Sequence, residues 1–335
     1  MTPYLHPRPY ALTPIARTGD QFTNFGPYAA ALNDEGVVAF QATVRGGGSG
    51  VWTGSGGPIS PISDPAAGRP RSVLSHPDIN QGGLICFYAM TETGRRGVAV
   101  VGSDEVAVIA DNAGPLGPTM NDDGTVAFRA DAGAAGHGIY VGRDGEVITV
   151  AVTGDLFSAF QGLPVINRGG AVVFRADLTG GGQGIYVGDG ESQMPIVETG
   201  DVFAGLGFFP VLDDAGTVAF SATLRRGGTG IFSAADGEVA TVIDTTRDFE
   251  AFRGVLLDSG GRVIFYATPR GGELGIFSGP DPMKDSILGL GTSLFGSTIV
   301  DFALNPVSIN DGGQIAIRVK LANDMQHVLR ADPVG

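Results

Sequence analysis

His76 and Asp78 stand two positions apart in "SHPDIN" and offer an imidazole and a carboxylate, which with an arginine could assemble an acid–base pair. A second set of chemically capable side chains is scattered through short glycine-rich stretches. These are Arg45 in "RGGGSG", Glu92, Arg95 and Arg96 in "TETGRRG", His137 in "DAGAAGHG", Arg225 and Arg226 in "LRRGGTG", and Arg270 with Glu273 in "PRGGELG". The guanidinium is a planar fork of donors suited to a carboxylate or phosphate. In a sequence of net charge −14 whose lysines are Lys284 and Lys320 alone, these arginines are a local exception. They could hold an acidic peptide or a small anion. The plainer reading is that they are solvated loop charges paired with Asp20, Asp155 and Asp201, and that His76 is a hydrogen-bonded strand end beside a proline.

Other chemistries find little support. His6, His76, His137 and His327 are far apart, with no HxH or HExxH pair to hold zinc. No "GxSxG" nucleophile turn occurs, and the single cysteine, Cys86, occupies a slot that holds alanine elsewhere, as expected of a small buried hydrophobe. The glycine runs lack the Lys-Ser/Thr and the following helix of a phosphate loop. Adjacent acidic or amide side chains in "NDDG" supply too few oxygens for a calcium loop. The acidic balance repels phosphate backbones and anionic lipid. No apolar run approaches the roughly 18 residues that span a bilayer. No cofactor or metal is expected, and neither nucleic acid nor a membrane is an expected partner.

The elements that position these residues follow from repetition. "NDEGVVAFQA" at 33–42, "NDDGTVAFRA" at 121–130, "NRGGAVVFRA" at 167–176 and "DDAGTVAFSA" at 213–222 are versions of one segment. The turn-opening residues Asn33, Asn80, Asn121, Asn167, Asp213, Asp258 and Asn310 lie 47, 41, 46, 46, 45 and 52 residues apart. Period-two alternation between Gly, Asn and Asp clusters predicts four strands per unit, near 117–121, 125–131, 138–142 and 146–152 in the third, with φ > 0 at Gly124. Four short antiparallel strands at this period predict an all-β, seven-bladed propeller filling residues 1–335 as one domain. The expected blades are 21–63, 70–110, 115–152, 160–198, 206–244, 252–290 and 300–332. "TPIARTGD" at 13–20 repeats "MPIVETGD" at 194–201, whereas the last unit stops after its third strand. The N-terminal strand, 10–18, is therefore expected to complete the seventh blade and leave no open edge.

The pattern "N-D-x-G-x-V-A-F-x-A … G-I-Y-x-G" resembles an uncharacterised bacterial family of tandem repeats, often found in exported or anchored proteins. The resemblance covers almost the whole chain and implies a propeller-like β fold, with no activity or cofactor attached. No export signal is visible here, so a cytoplasmic location is expected, or a secreted one if a leader has been removed. Phe40, Phe87, Phe128, Phe174, Phe220 and Phe265 are expected to fill the spaces between blades. Asp20, Asp155 and Asp201 are expected to fold onto local backbone N–H groups. Function should sit where the repeats disagree, on the face bearing the longer loops. The expected function is a monomeric, non-catalytic scaffold that binds a peptide or protein there, with Arg45, Arg95, Arg96, His137, Arg225, Arg226, Arg270, His76 and Asp78 as candidate ligand contacts. A hydrolase or lyase with a site in the central funnel, and a carbohydrate-binding propeller, are the alternatives.

Overall fold

The computed structural model describes residues 3–27, 29–63, 72–91, 94–102, 106–111, 114–131 and 137–334, and every helix or strand assigned among them is a strand. Seven small antiparallel sheets ring a common axis, one per repeat, as a seven-bladed β-propeller. In the third repeat the strands are Thr119–Met120, Val126–Asp131, His137–Arg143 and Glu146–Val152, and Gly124 takes φ +81° in the turn between the first two. Where the lead-in to a blade is fullest, the innermost strand is longer than the turn pattern implies. Phe157–Ile166 pairs with Val172–Leu178 throughout, broken by irregularities after Phe157 and Gln161.

Alternation along the second and third strands sends one face of each blade into its neighbour. The buried apolar residues accordingly form seven clusters, each shared by two consecutive blades. Phe40, Phe87, Phe128, Phe174, Phe220 and Phe265 are all at most 1% exposed within them. The Phe-x-x-Phe lead-in completes an aromatic group. Phe157, Phe160, Phe174 and Tyr186 meet at centroid distances of 4.9–6.0 Å and pack on the preceding blade's Ile139 and Val150. Cys86 is fully buried, and burial pushes its thiol pKa up.

The repeated turn has a second task at the axis. In each of the seven turns the opening Asn or Asp side chain accepts the backbone N–H four residues on, as Asn33 does from Val37 at 3.0 Å. In four of them the remaining amide nitrogen bonds the next blade. Asn33 donates to the carbonyl of Asn80, Asn80 to Asn121, Asn167 to Asp213, and Asn310 to Asn33, which carries the ring past the chain ends. The following residue repeats the link in reverse: the backbone N–H of Asp34, Gln81, Arg168, Ser259 and Asp311 meets the side-chain oxygen of Gln81, Asp122, Asp214, Asp311 and Asp34. Asp258 has no amide to donate. Arg262 fills the gap by bonding both the Asp258 carboxylate and the backbone carbonyl of Asp311.

Closure is covalently offset from the blade order. Tyr10–Arg17 runs antiparallel to Gln326–Pro333 as the outer strand of blade seven, in the register Tyr10↔Pro333 to Arg17↔His327. The two residues Tyr4–Leu5 lie parallel to Arg262 and Val263 in blade six. Residues 4–24 therefore touch blades six, seven and one in turn. Removing residues 1–17 strips both contacts, and the thermal unfolding midpoint should fall by many degrees. Asp213→Asn should act oppositely. Asp213 Oδ2 is buried without a partner where four sister turns bond the next blade through an amide, so restoring the donor should add about 1 kcal/mol, read as a higher midpoint by calorimetry.

Candidate functional site

Two polar clusters and one groove are the candidates among the described residues. The first is the axial mouth on the face of the repeated turns, where the second turn residues converge: Asp34, Gln81, Asp122, Arg168, Asp214, Ser259 and Asp311. It is a polar cavity of about 160 Å³. Arg168 crosses it, with Nε 2.9 Å from Asp122, Nη1 3.4 Å from Asp214 and Nη2 4.0 Å from Asp311. A guanidinium thus takes the place that the convergent carboxylates would offer to a cation. Asp34 has its pKa raised, first by burial and then by Asp311 and Asp122 beside it. The signal in the sequence is the arginine at a turn position that is acidic in four sister repeats.

The second place is the wall of the axial channel, where His76 and Asp78 lie. Both are buried, and they are not bonded to each other. The Asp78 carboxylate accepts the N–H of Ile79 at 2.8 Å and, across the blade boundary, that of Met120 at 2.7 Å. Thr119 and Ser308, at equivalent positions, also bond the next blade's backbone, at Pro164 and Ala30. These inner-strand polar residues form a second tier of ties around the axis. Burial raises the Asp78 pKa from 3.8 to about 7, against the pull of its two backbone donors. Burial also lowers that of His76 to about 4, with Nδ1 on the carbonyl of Pro77 and Nε2 against Gly117.

The loop arginines occupy the opposite face and are spread over different blades. Arg45 donates to the carbonyls of Gly19 and Asp20, Arg225 to Gly200, and Arg270 to Thr245 and Arg247. Each staples its loop to the backbone that leads into the same blade, rather than to the carboxylates of Asp20, Asp155 and Asp201. Those aspartates lie exposed, with Asp20 3.4 Å from Arg17 and none folded onto local N–H groups among the described bonds. Arg226 pairs with Asp244 at 3.1 Å, and Arg96 reaches the carbonyl of Gly114. Arg95 and His137 are exposed, and Glu92 and residues 132–136 lie outside the described residues.

The third place is a groove of about 550 Å³ between blade seven and blade one. It is lined by Pro14, Ile15 and Ala16 of the closing strand, by Phe22 and Ile59 of blade one, and by Phe295 and His327 of blade seven, with Arg17 and Asp20 among its polar groups. Phe295 tips a hairpin that pairs Ser293–Leu294 with Thr298 and Ser297, inside the longest of the six repeat intervals. Its backbone sits at φ +50°, a conformation that disfavours a bulky side chain, yet the ring is 50% exposed. The ring lies over the His327 imidazole with centroids 4.5 Å apart. Burial and then the nearby Arg17 charge lower the His327 pKa.

A family model matches residues 32–329. The chain belongs to the family of unknown function DUF7453. No curated protein matches the sequence. Among solved structures, an oligogalacturonate lyase from Vibrio parahaemolyticus is 11% identical, with 98% of each chain covered and a TM-score of 0.59. A manganese complex of oligogalacturonate lyase is 11% identical over 98% of each chain, with a TM-score of 0.54. Prolyl oligopeptidase B from Galerina marginata is 8% identical over 92% of this chain and 46% of its own, with a TM-score of 0.57. At such identities the likeness is one of fold alone.

Reading residue types alone misses Arg168, Phe295 and the groove face of His327. The clue to Phe295 is the long last interval, which marks inserted chain. The buried pair gives a pH signature. The raised Asp78 pKa contributes stability in full below about 3.8, lost as pH rises through about 7, while the lowered His76 pKa contributes above about 6.5 and is lost as pH falls through about 4. The two slopes oppose each other from about pH 4 to 6.5. Asp78→Asn removes one of them, so its cost in urea unfolding should be larger at pH 4.5 than at pH 7.5, by up to about 3 kcal/mol.

Proposed function

We propose that this DUF7453 propeller is a non-catalytic binding scaffold that takes a peptide or an extended protein segment in the groove between blades seven and one. The observation that carries this reading is Phe295. A large apolar ring is held half exposed, on a backbone conformation unfavourable to it, over a mostly apolar groove of about 550 Å³. Backbone strain of this kind persists where the surrounding structure enforces it and is concentrated at ligand clamps. A buried aromatic anchor in such a groove is what dominates peptide affinity. Arg17 and Asp20 form an exposed ion pair at its edge, 3.4 Å apart. His76 and Asp78 support the same reading, because both are engaged with backbone inside the channel wall and neither is presented to a substrate in the funnel.

The test is a random dodecapeptide library displayed on phage and selected on the wild-type protein. Recovered peptides should share an aromatic or branched apolar residue and should bind Phe295→Gly at least about tenfold more weakly. That variant should keep its unfolding free energy within about 1 kcal/mol of wild type, because glycine accepts φ +50° without the penalty that phenylalanine carries. Peptides that bind the glycine variant equally well would remove the groove from consideration.

A further inference from the structure

Arg175 is the second-strand residue that follows Phe174 in blade four, and it is 3% exposed. Its Nη2 lies 3.0 Å from the Asp177 carboxylate, which also accepts from Gln161 at 2.9 Å. Nε and Nη1 are buried without a hydrogen-bond partner. A buried cation with unmade hydrogen bonds is costly, and folded proteins rarely leave one without a use. The Phe208 ring covers the group, 5.0 Å from Cζ to ring centroid, and is itself 55% exposed.

The repeat supplies its own control. Arg129 holds the same place in blade three, and its Nη1 donates at 3.0 Å to the carbonyl of Gly162 in the lead-in of blade four. Gly162 stands two residues before Pro164, as Phe208 stands two before Pro210. Gly162 takes φ +68°, and a Cβ there would run into the Phe208 carbonyl. So blade four offers its neighbour's arginine a carbonyl oxygen, whereas blade five offers an exposed aromatic ring. Arg253, also exposed, occupies the matching place in blade six.

We propose that Arg175 anchors a second ligand site, where a carboxylate displaces the Phe208 ring and accepts hydrogen bonds from the guanidinium nitrogens left unpaired. A carboxylate is the fitting anion. Asp177 already balances the Arg175 charge, so a further anion is held by the two free donors and not by net charge, and a singly charged carboxylate adds less repulsion against Asp177 than a dianion would. The α-carboxylate of a peptide end and an acidic side chain share this chemistry. The site does not depend on the groove between blades seven and one, because its probes are small acids that place no apolar anchor there.

The experiment is thermal unfolding of the full chain at constant ionic strength with N-acetylglycine, N-acetylaspartamide carrying only its side-chain carboxylate, and N-acetylglycinamide as the neutral control. At about ten times its Kd a bound acid should raise the midpoint by about 2 °C. The neutral amide should leave it unchanged, and the better of the two acids names the source of the carboxylate. Arg175→Met should lose the rise. Phe208→Ala, a change at an exposed ring, should show it at lower acid concentration because nothing need be displaced. No rise with either acid in wild type and Phe208→Ala, or an undiminished rise in Arg175→Met, overturns the site. If Arg175→Met does not fold, the Arg175 Nε–H resonance of Phe208→Ala decides: N-acetylglycine should shift it, and a resonance that stays still overturns the proposal.

Discussion

The structure depends on a ring of side-chain amides that donate to backbone carbonyls one blade ahead. A propeller blade is a small sheet with one buried face on each side, and apolar packing alone would let neighbours slide. The asparagine in four of the seven turns removes that freedom. Its oxygen is spent on its own turn while its nitrogen bonds the next blade, and Asn310 to Asn33 carries the link across the chain ends. Hydrogen bonds are directional where hydrophobic burial is not. The ring therefore sets register, and the seven apolar clusters supply most of the driving force.

Where the ring lacks its usual residue, the chain compensates or leaves a gap. At Asp258, Arg262 spans to the carbonyl of Asp311. At Asp213 no such substitute exists, and Oδ2 stays unpaired. At Arg168 the departure from an acidic residue puts a cation among Asp122, Asp214 and Asp311 and closes the mouth that they would otherwise leave negative. The same logic separates scaffold from recognition on the rest of the surface. Arg45, Arg225 and Arg270, which recur, staple loops to backbone. Phe295 and Phe208, which do not recur at their positions, keep their rings in solvent.

Closure gives the seam between blades seven and one a character of its own. The outer strand of blade seven comes from the opposite end of the chain, so Ile15 and Ala16 pack against Phe22, Phe40 and Trp52 with Val328 beside them. A groove at this seam is lined by residues from both chain ends. Anything bound there would bridge blades seven and one, which couples ligand occupancy to the stability of the ring.

Much of the fold was legible from spacing. Seven turn-opening residues at nearly constant intervals imply seven equal sheets, and the match between 13–20 and 194–201 implies that an early strand completes the last one. Period-two alternation located the second strands, and the recurrent phenylalanines were readable as interface residues because a residue repeated in six of seven blades must serve what those blades share. Spacing did not disclose what the side chains within a turn or strand would meet. Whether His76 and Asp78 faced a funnel or a neighbour's backbone, whether Arg45 met a carboxylate or a carbonyl, and why Arg129 is satisfied while Arg175 is not all depend on the adjoining blade. Local periodicity is a property of one chain segment and is written in its letters. A site is made where segments about 45 residues apart, or from opposite ends of the chain, are brought within a few ångströms, and only the closed ring decides which of them meet.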